Sequence, residues 1–531
     1  MQQRGARSLF AALFLAAIIL INSFAAFGQT QQASKDDDGP NPKTAPEAAP
    51  AVNPAPAPAP QAAEPSAPLQ LKIGDATIVP IGFMDLTNTF RSTNSRDSLA
   101  TNFGNFPYSN AVPAGFITED RISIQNSRIG FRVDAKVKNS NVLGYYEGDF
   151  VGGVGASGIN PALNTQVTSN SFVYRIRLYW VDVRMKKFEF LAGQSWSMMT
   201  PNRKQISALP GDLFYGQEYD VNYLAGLTWG RIPGLRFIIH PNEKVTWGLS
   251  LENASQYFGG SGGASNPTLP TTAFTPGQIS QIQQQLDGSF NPYTNSSGIG
   301  NGLNGLAVPQ VHPDIISKLA FDPNSRVHVE FVGVESTARL LNPITLTTNY
   351  KAMGGGSFNG NFEVAKGLRL VTNNFWSDGE GRYIFGQAPN FIVRADGTVS
   401  PIHSGSTIQG FEYTNKNSLV YGYYGGIYIL ANTALDTNGR LIGWGNQPFN
   451  GGAGASNAQN RSIQEATVGL TQTLWRDAKY GALQLMTQYA YFTRSPYFVA
   501  TGTPSNAHQH ALWFNVRYTL PGAAPAVTLP K

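Results

Sequence analysis

The sequence predicts an all-β fold: a transmembrane antiparallel β-barrel of about 16 strands, or 18, with long outer loops and short periplasmic turns. Three observations predict it. Apolar and polar residues alternate over unusually long segments, and short connections alternate with long ones along the chain. The composition is also typical, because only 13% of the residues are charged while 56 Gly, 31 Phe and 22 Tyr are present. A mean hydropathy of −0.19 argues against a bundle of membrane helices but not against a barrel with a polar interior.

The alternation is clearest in the closing stretch from Arg461 to Leu520. In its last segment Leu512, Phe514 and Val516 share one face of a strand, because successive side chains point to opposite faces. Segments of about 13 to 15 residues are long for a soluble strand, which averages five or six. The length fits a membrane-crossing strand, although these segments alone leave a large soluble β-sandwich or β-solenoid open.

The same periodicity places candidate strands along the rest of the chain. They lie at 78–91, 120–138, 141–151, 170–185, 187–198, 218–240, 243–254, 311–321, 325–337, 346–358, 361–377, 407–414, 418–430, 461–475, 480–494 and 508–520. Turn residues such as Asn139-Ser140 and Asn359-Gly360 predict tight links between alternate pairs. The segment 218–240 is interrupted by Gly230 and Pro233, which predicts a bulge or a bend, or two strands instead of one.

The charged residues predict which face of each strand points inward. A charge on the lipid face costs about 2 to 4 kcal/mol at the membrane midplane. In 120–138 this places Arg128 inside and Phe131 outside. In 170–185 it places Arg175 and Arg177 inside, with the alternating apolar residues outside. The outward set of 170–185 and 218–240 would be Phe172, Tyr174, Ile176, Leu178, Trp180, Val221, Tyr223, Ala225, Leu227 and Trp229.

The N-terminus has the pattern of a secretory signal peptide over residues 1–28. Arg4 and Arg7 precede an apolar run from Leu9 to Ile21, and small residues lead to a cleavage site after Gly28. A membrane anchor is the alternative, but the run is shorter than the roughly 20 residues that a helical span needs. The mature chain is therefore expected outside the cytoplasm.

Residues 29–70 form a Pro- and Ala-rich spacer, and residues 71–521 form the predicted barrel, followed by a C-terminal tail at 522–531. The spacer favours an extended polyproline II conformation and cannot form a core. It is either a disordered leader or a periplasmic tether that contacts the cell wall.

Several classes of function are disfavoured by the residues. The chain has no cysteine, so it has neither disulfides nor a cysteine-ligated metal site. A net charge of +5 without a basic cluster gives no sign of nucleic-acid binding. His508 and His510 share a strand face, but no third metal ligand is evident. No catalytic Ser/His/Asp set and no cofactor motif is present, so we expect neither an enzyme nor a cofactor.

Four motifs in order resemble one known family. They are Ser127–Phe131, Tyr146–Phe150, Leu191–Ser197 and Arg517–Pro521, and together they resemble the DcaP-like porins of bacterial outer membranes. The resemblance implies a sixteen-stranded trimeric barrel that passes small, often anionic solutes. Two departures concern the ends: a Pro-rich spacer stands where the family has a coiled-coil segment, and the chain continues past Pro521 instead of ending on an aromatic residue.

A barrel of this size is wide enough for an aqueous channel, and a loop folded inward would narrow it. We expect the loop from Met199 to Gln217 to do so, with Arg203, Lys204 and Asp212 as its charged residues. A basic wall, partly opposed by acids, would favour anions, although the charges could simply pair in a wet lumen. The predicted pore-lining residues are Arg128, Arg132, Lys136, Glu147, Asp149, Arg175, Arg177, Arg369, Glu465 and Arg517.

The sequence therefore predicts an outer-membrane porin for the diffusion of small hydrophilic, anionic solutes, with membrane lipid and further copies of the chain as its partners. The main alternative is an outer-membrane adhesin or structural surface protein without conductance. An enzyme housed in a barrel and a secreted soluble β-protein are further alternatives.

Overall fold

The structure is a computed structural model of the 531-residue chain. It describes residues 69–95, 99, 101, 103–152, 172–207, 209, 214–218, 223–259, 266–286, 310–446, 459–499 and 501–521. The predicted signal peptide, nearly all of the spacer, and the tail at 522–531 lie outside the described residues.

The described part of the chain is almost entirely β-structure, with one α-helix, α1 (Pro276–Leu286), and a 3-10 turn at Gly381–Tyr383. The strands in chain order are β1 (Leu71–Ile73), β2 (Ala76–Arg91), β3 (Glu119–Ser123), β4 (Arg128–Val137), β5 (Ser140–Gly152), β6 (Val173–Met185), β7 (Phe188–Trp196), β8 (Arg231–Asn242), β9 (Val245–Glu252), β10 (Asp314–Asn324), β11 (Val327–Leu341), β12 (Thr348–Ala365), β13 (Leu368–Asp378), β14 (Phe391–Val393), β15 (Val399–Pro401), β16 (His403–Asn415), β17 (Ser418–Ile429), β18 (Asn432–Leu435), β19 (Leu441–Trp444), β20 (Asn460–Asp477), β21 (Gly481–Pro496) and β22 (Ala507–Thr519).

An antiparallel barrel of 16 strands is formed by all of these except β1, β14, β15, β18 and β19, with β3 and β4 counted as one, as the sequence predicts. Each barrel strand pairs with its neighbour in the chain, and the last strand, β22, pairs with β2 through registers such as Asp85 with Arg517. β3 and β4 both pair with β2 and together form one wall strand with an interruption. Closure leaves no unpaired edge, which is the condition for crossing a bilayer with strands.

The two ends of the barrel differ because short turns join the strands at one end and long loops join them at the other. Lys138-Asn139 joins β4 to β5, and Lys416-Asn417 joins β16 to β17. The long-loop end carries α1 and the hairpins β14–β15 and β18–β19. The helices in the described residues are too short or too polar to cross a membrane.

The outer surface of the wall is apolar and the inner surface is polar. In β4, Ile129 and Phe131 are exposed on the outside while Arg128 is buried on the inside. In β20, Val468 is exposed while Glu465 and Thr467 are buried. The faces predicted for Arg128 and Phe131 are therefore confirmed, and the arrangement is that of a barrel with a lipid-facing exterior.

The facing predicted for 170–185 is wrong beyond Arg177. The register of β6 against β5 shifts there, because Glu147 pairs with Leu178 while Gly148 pairs with Ile176. One extra residue in a strand sends every following side chain to the opposite face. Leu178 and Trp180 consequently point inward, and Tyr179 and Val181 are exposed on the outside.

The turn predicted at Asn359-Gly360 is also wrong, because both residues pair within β12 and β13. Asn359 is buried inside the barrel, where its Nδ2 donates to Glu330 Oε2 at 3.3 Å. The actual turn is Lys366-Gly367, in which Gly367 has a φ of +77°. Asparagine is common in turns, but it can equally lie on the inner face of a barrel strand, where its amide forms hydrogen bonds in the lumen.

The strand predicted at 218–240 begins only at Arg231. Tyr223, Leu224, Ala225 and Leu227, of which the odd-numbered members were expected to face lipid, are buried inside the barrel instead. Their apolar side chains pack against other loops and the inner wall. The number of barrel strands is unaffected, because β8 alone forms the sixth wall strand.

Candidate functional site

The connection between β7 and β8, residues 197–230, folds into the barrel, and we call it the inner loop. Its two ends meet where Ser197 N donates to Gly230 O at 2.8 Å. It is longer than the predicted constriction loop at Met199–Gln217 and contains it. The side chains of Met199, Phe214 and Leu224 are buried. Such apolar side chains leave water by packing across the bore, which explains why the loop turns inward.

The first attachment of the inner loop is to β10 and β11. Lys318 Nζ donates to Thr200 O at 2.7 Å and to Asn202 Oδ1 at 3.0 Å. It also lies 3.2 Å from Glu330 Oε2. Asn202 N donates to both Glu330 oxygens at 3.1 Å. Lys318 and Glu330 are fully buried, so the loop covers a complete ion pair of the wall.

The second attachment is to β16 and β17 through Arg203. Its guanidinium donates to both oxygens of Glu412, and it stacks over the Tyr215 ring at 5.0 Å from the centroid. Tyr423 OH also donates to Glu412, at 2.9 Å, and accepts from Tyr215 N at 3.2 Å. A bidentate pair of this kind fixes both position and orientation. Sequence analysis named Arg203 but did not identify Glu412 as its partner.

The third attachment is to β20 and β21 and involves no cation among the described residues. Gln217 N donates to Gln488 Oε1 at 2.7 Å, and Gln488 Nε2 donates to Glu218. Ala225 N donates to Glu465 Oε2 at 2.8 Å. Glu218 and Glu465 are both buried. Burial in this setting raises the pKa of the Glu218 carboxyl to about 7.

Further contacts carry the inner loop across the bore. Thr228 N donates to Asn373 Oδ1 on β13 at 3.0 Å. On the other side of the barrel, Leu209 packs against an inward apolar cluster that includes Tyr145 and Trp180, on β5 and β6. Because it contacts walls formed by β5–β6 and by β10–β21, the inner loop crosses the lumen.

Two other loops contribute to the same interior. Phe103 and Phe106, from the connection between β2 and β3, are fully buried, and Arg494 Nε donates to Phe106 O at 2.9 Å. From the connection between β13 and β16, Tyr383 is buried and its carbonyl accepts from Trp229 N at 2.7 Å. The three loops share one apolar cluster with the inner wall. The bore is thus narrowed by several loops, a feature that sequence analysis did not predict.

The arginines of β4 and β6 face the carboxylates of β5. Arg177 Nε lies 2.7 Å from Glu147, and its Nη1 lies 2.9 Å from Asp149. Arg175 makes two hydrogen bonds to Asp149, at 2.7 and 3.0 Å. Arg128 lies 3.7 Å from Glu147. The charges alternate in sign across adjacent strands, so the wall is a network of ion pairs and not a purely basic surface.

The seam between β2 and β22 has the same character. Arg517 Nε donates to Asp85 Oδ2 at 2.6 Å, and Asn515 Nδ2 donates to Asp85 Oδ1 at 2.9 Å. The Arg517 guanidinium also lies over the Phe83 ring, 4.1 Å from its centroid. The buried carboxylate therefore has partners on both oxygens.

The predicted pore-lining and constriction-loop residues differ in their exposure to water. Arg128, Arg177, Glu147, Asp149 and Arg517 are buried in ion pairs, whereas Arg132, Arg175, Arg203 and Arg369 are partly exposed and Lys136 and Lys204 are exposed. Glu465 is covered by the inner loop, and Asp212 lies outside the described residues.

Sequence reasoning missed the wall residues that hold the inner loop. They are Lys318, Glu330, Asn373, Glu412 and Gln488. The available signal was a polar or charged residue on the inner face of an apolar strand. Such a residue indicates which face of the strand points into the lumen, but it does not indicate which loop packs against that face.

No protein-family profile and no curated protein sequence matches the chain. The barrel is similar to the outer membrane channel DcaP of Acinetobacter baumannii, with a TM-score of 0.56 and 13% identity over 85% of this chain and 99% of that chain. An anion-selective porin from Comamonas acidovorans matches with a TM-score of 0.41 and 9% identity, over 84% of this chain and 99% of that one. The fold of the chain is therefore similar to that of the DcaP channel, as the sequence motifs predicted.

Proposed function

We propose that the chain is an outer-membrane channel through which small hydrophilic solutes diffuse, with a preference for anions. The closed barrel with an apolar exterior and a polar interior supports the location. The position of the inner loop supports selection of solutes by size, because the loop crosses the lumen and is attached to several strands. The fold of the DcaP channel supports the same function.

One observation carries the preference for anions. In the pair Arg175–Asp149 the arginine side chain is 22% exposed and the carboxylate 1%. In the pair Arg203–Glu412 the values are 27% and 4%. In both pairs the cation faces water and the carboxylate is held behind it, so a solute in the bore meets positive charge. Like charges along a pore select ions by sign.

Reversal potentials in a planar bilayer with a salt gradient test the proposal. We expect anion selectivity, and we expect Arg175→Gln and Arg203→Gln each to move the reversal potential toward zero. Arg326→Gln is the control, because it removes an exposed arginine in the β10–β11 turn. Cation selectivity of the unaltered protein would overturn the anion preference, and absence of conductance would favour the adhesin or structural alternative.

The assembly state and the leader are further parts of the proposal. We propose a homotrimer, which the resemblance to the DcaP-like porins implies, and removal of residues 1–28 on export. Chemical cross-linking in native membranes should stop at three copies, and the N-terminus of the purified protein should begin at Gln29. A monomer, or a retained leader, would contradict the respective part.

A further inference from the structure

Four polar side chains lie on the outer face of the barrel, where β13 pairs with β16. They are Thr372, Asn374, Thr407 and Gln409, and we call them the outer polar patch. Thr372 pairs with Gln409, and Asn374 pairs with Thr407. Asn373, between the two members on β13, is 0% exposed and points into the barrel, so its neighbours along the strand point outward. The patch therefore interrupts the lipid-facing surface.

The outer polar patch lies within the apolar band of the wall and not at its edge. Toward the short-turn end, the outward faces of β13 and β16 continue with Leu370 and Phe411, which are exposed. Toward the long-loop end, the next outward residue of β13 is Trp376, which is also exposed. Because apolar residues flank the patch on both sides along the strands, it lies at the depth of the hydrocarbon layer, where no water is available to polar groups.

The patch satisfies only part of its own hydrogen bonding. Thr407 Oγ1 and Gln409 Nε2 donate to Asn374 Oδ1 at 2.8 and 2.9 Å. Asn374 Nδ2 donates to Thr372 Oγ1 at 2.7 Å. Gln409 is exposed, and among the residues that the structure describes no donor reaches its Oε1. An acceptor in hydrocarbon without a donor is costly, so this face suits a polar partner better than lipid tails.

The strands beside the patch provide a flat surface. Gly333 of β11 pairs with Gly356 of β12 on the outer face. A Cβ at Gly333 would meet no atom within 4 Å, and one at Gly356 would meet only Val332 O, at 3.6 Å. The fold of the single chain therefore does not require glycine at either position. Glycine inside a strand weakens it and often marks a place that another backbone approaches closely.

The opposite wall is different at the same depth. β6 is the fourth strand of the 16-stranded wall and β16 is the twelfth, so the two lie on opposite sides of the barrel. The outward residues in the middle of β6 are Tyr179, Val181 and Val183. An apolar face of this kind suits lipid tails, and it provides a control surface for the outer polar patch.

We propose that the outer polar patch, with the glycines beside it, is the surface through which copies of this chain contact each other in the membrane. The inference rests on the proposed homotrimer and locates its contact. The four side chains are neutral and include both donors and acceptors, so the patch can form hydrogen bonds with the same patch of a second copy. A lipid phosphate would instead call for cations, and the patch contains none. Rotational symmetry brings the same face of every copy to the axis, which removes each patch from lipid.

Cross-linking of single thiols tests the location of the contact, because the chain contains no cysteine of its own. Gln409→Cys, treated in native membranes with a bifunctional thiol reagent, should give a linked pair of copies on a denaturing gel. Val181→Cys, on the opposite wall, is the matched control and should remain a single chain. If Gln409→Cys gives no linked pair, or is linked only to a different polypeptide, the inference is overturned. If Val181→Cys is linked instead, the homotrimer stands and only the location is wrong.

A second variant distinguishes a contact surface from a lipid-facing surface. Asn374→Leu/Gln409→Leu replaces two amides by apolar side chains of similar size. We expect the copies to associate about tenfold more weakly in detergent, as for the loss of one or two hydrogen bonds in a membrane interface, while the barrel still folds. Val181→Leu is the control and should leave the association unchanged. Unchanged association of the double variant, with more favourable folding into vesicles, would show that the patch faces lipid and would overturn the inference.

Conductance of the same double variant keeps this inference apart from the channel proposal. Each barrel has its own bore, so the dissociated variant should conduct in single steps with the unit conductance of the unaltered protein. If the variant dissociates but neither protein conducts, the contact surface stands and the channel proposal fails.

Discussion

The guanidinium of Arg203 and the carboxylate of Glu412 form two parallel hydrogen bonds, Nη1 to Oε2 at 2.8 Å and Nη2 to Oε1 at 2.7 Å. This pair joins the inner loop to β16 on the inner wall. The carboxylate is 4% exposed and the guanidinium 27%. The two hydrogen bonds fix the geometry of the pair, but water reaches the guanidinium. We therefore expect its contribution to the free energy of unfolding to lie between those of a buried and a surface ion pair.

Glu412→Gln should therefore loosen the inner loop without unfolding the barrel. The variant retains a hydrogen-bond acceptor for Tyr423 OH but loses the charge that holds Arg203. We expect a loss of about 1 kcal/mol in the free energy of unfolding and more frequent current fluctuations at constant voltage. Urea titration in lipid vesicles and single-channel recording measure the two effects. Glu363→Gln is the control, and an unchanged current trace would contradict the role of the pair in holding the loop.

Removing the cation of the fully buried pair should be much more damaging. Lys318→Met removes the lysine partner of the buried Glu330 carboxylate and leaves His328 Nε2, at 3.2 Å, as its remaining ion-pair contact. The loop also loses the donor to Thr200 O. Breaking a buried pair in this way costs about 3 to 5 kcal/mol. The double variant Lys318→Met/Glu330→Gln should recover part of that loss, because no uncompensated charge remains. A double-mutant cycle on unfolding free energies measures the coupling, and a double variant less stable than Lys318→Met would contradict this account.

The outer face of the barrel makes a separate prediction about lipid. Phe131 is 43% exposed on the outer surface of β4, next to Arg132, which points inward. Phe131→Arg should make folding into vesicles less favourable by about 2 to 4 kcal/mol, which is the cost of a charge on the lipid face at the membrane midplane. Lys136→Gln, on the inner face of the same strand, is the control and should change it little. Equal effects of the two substitutions would show that the face is not in contact with lipid.

The strands could be predicted from the sequence because each one has an apolar face toward lipid and a polar face toward the lumen. In β20 the apolar residue Val468 and the polar residue Thr467 must lie on opposite faces, and the period of two shows this directly. The pairing of β22 with β2 follows from closure, because an open edge is not tolerated in a membrane.

The wrong assignments of inward and outward faces have one physical cause. The alternation of residue types is a local property of a strand, whereas the loops that pack against its inner face are determined by the whole barrel. The bulge at Arg177 reverses the faces of Leu178 and Trp180, and no residue type marks it. Tyr223 alternates with its neighbours as a lipid-facing residue would, but loops inside the barrel provide another apolar environment. Glu465 was predicted to line the pore. Only the fold shows that the inner loop covers it, with Ala225 N donating to Glu465 Oε2.

Glu380 provides a pH-dependent prediction at the long-loop end of the barrel. It lies in the connection between β13 and β16, is fully buried, and accepts a hydrogen bond from Ser336 Oγ at 2.5 Å. Burial, followed by the negative charge of Asp314, raises the pKa of its carboxyl to about 8 from the ordinary 4.5. The neutral acid is thus favoured in the folded loop, so the stability of this loop should fall as the pH rises from about 4.5 to about 8.

Glu380→Gln should remove that dependence, because the amide is neutral at every pH and has nearly the same shape. Protease cleavage within residues 379–402 reports the opening of the connection, and we expect the unaltered protein to be cut faster at about pH 8 than at about pH 5. The variant should be cut at the slower rate at both values once protease activity is normalised with an unfolded substrate. Glu363→Gln, which removes a partly exposed acid of β12, should behave like the unaltered protein. If Glu380→Gln instead accelerates cleavage at the lower pH, the carboxyl is ionised there and its burial is compensated by Arg382.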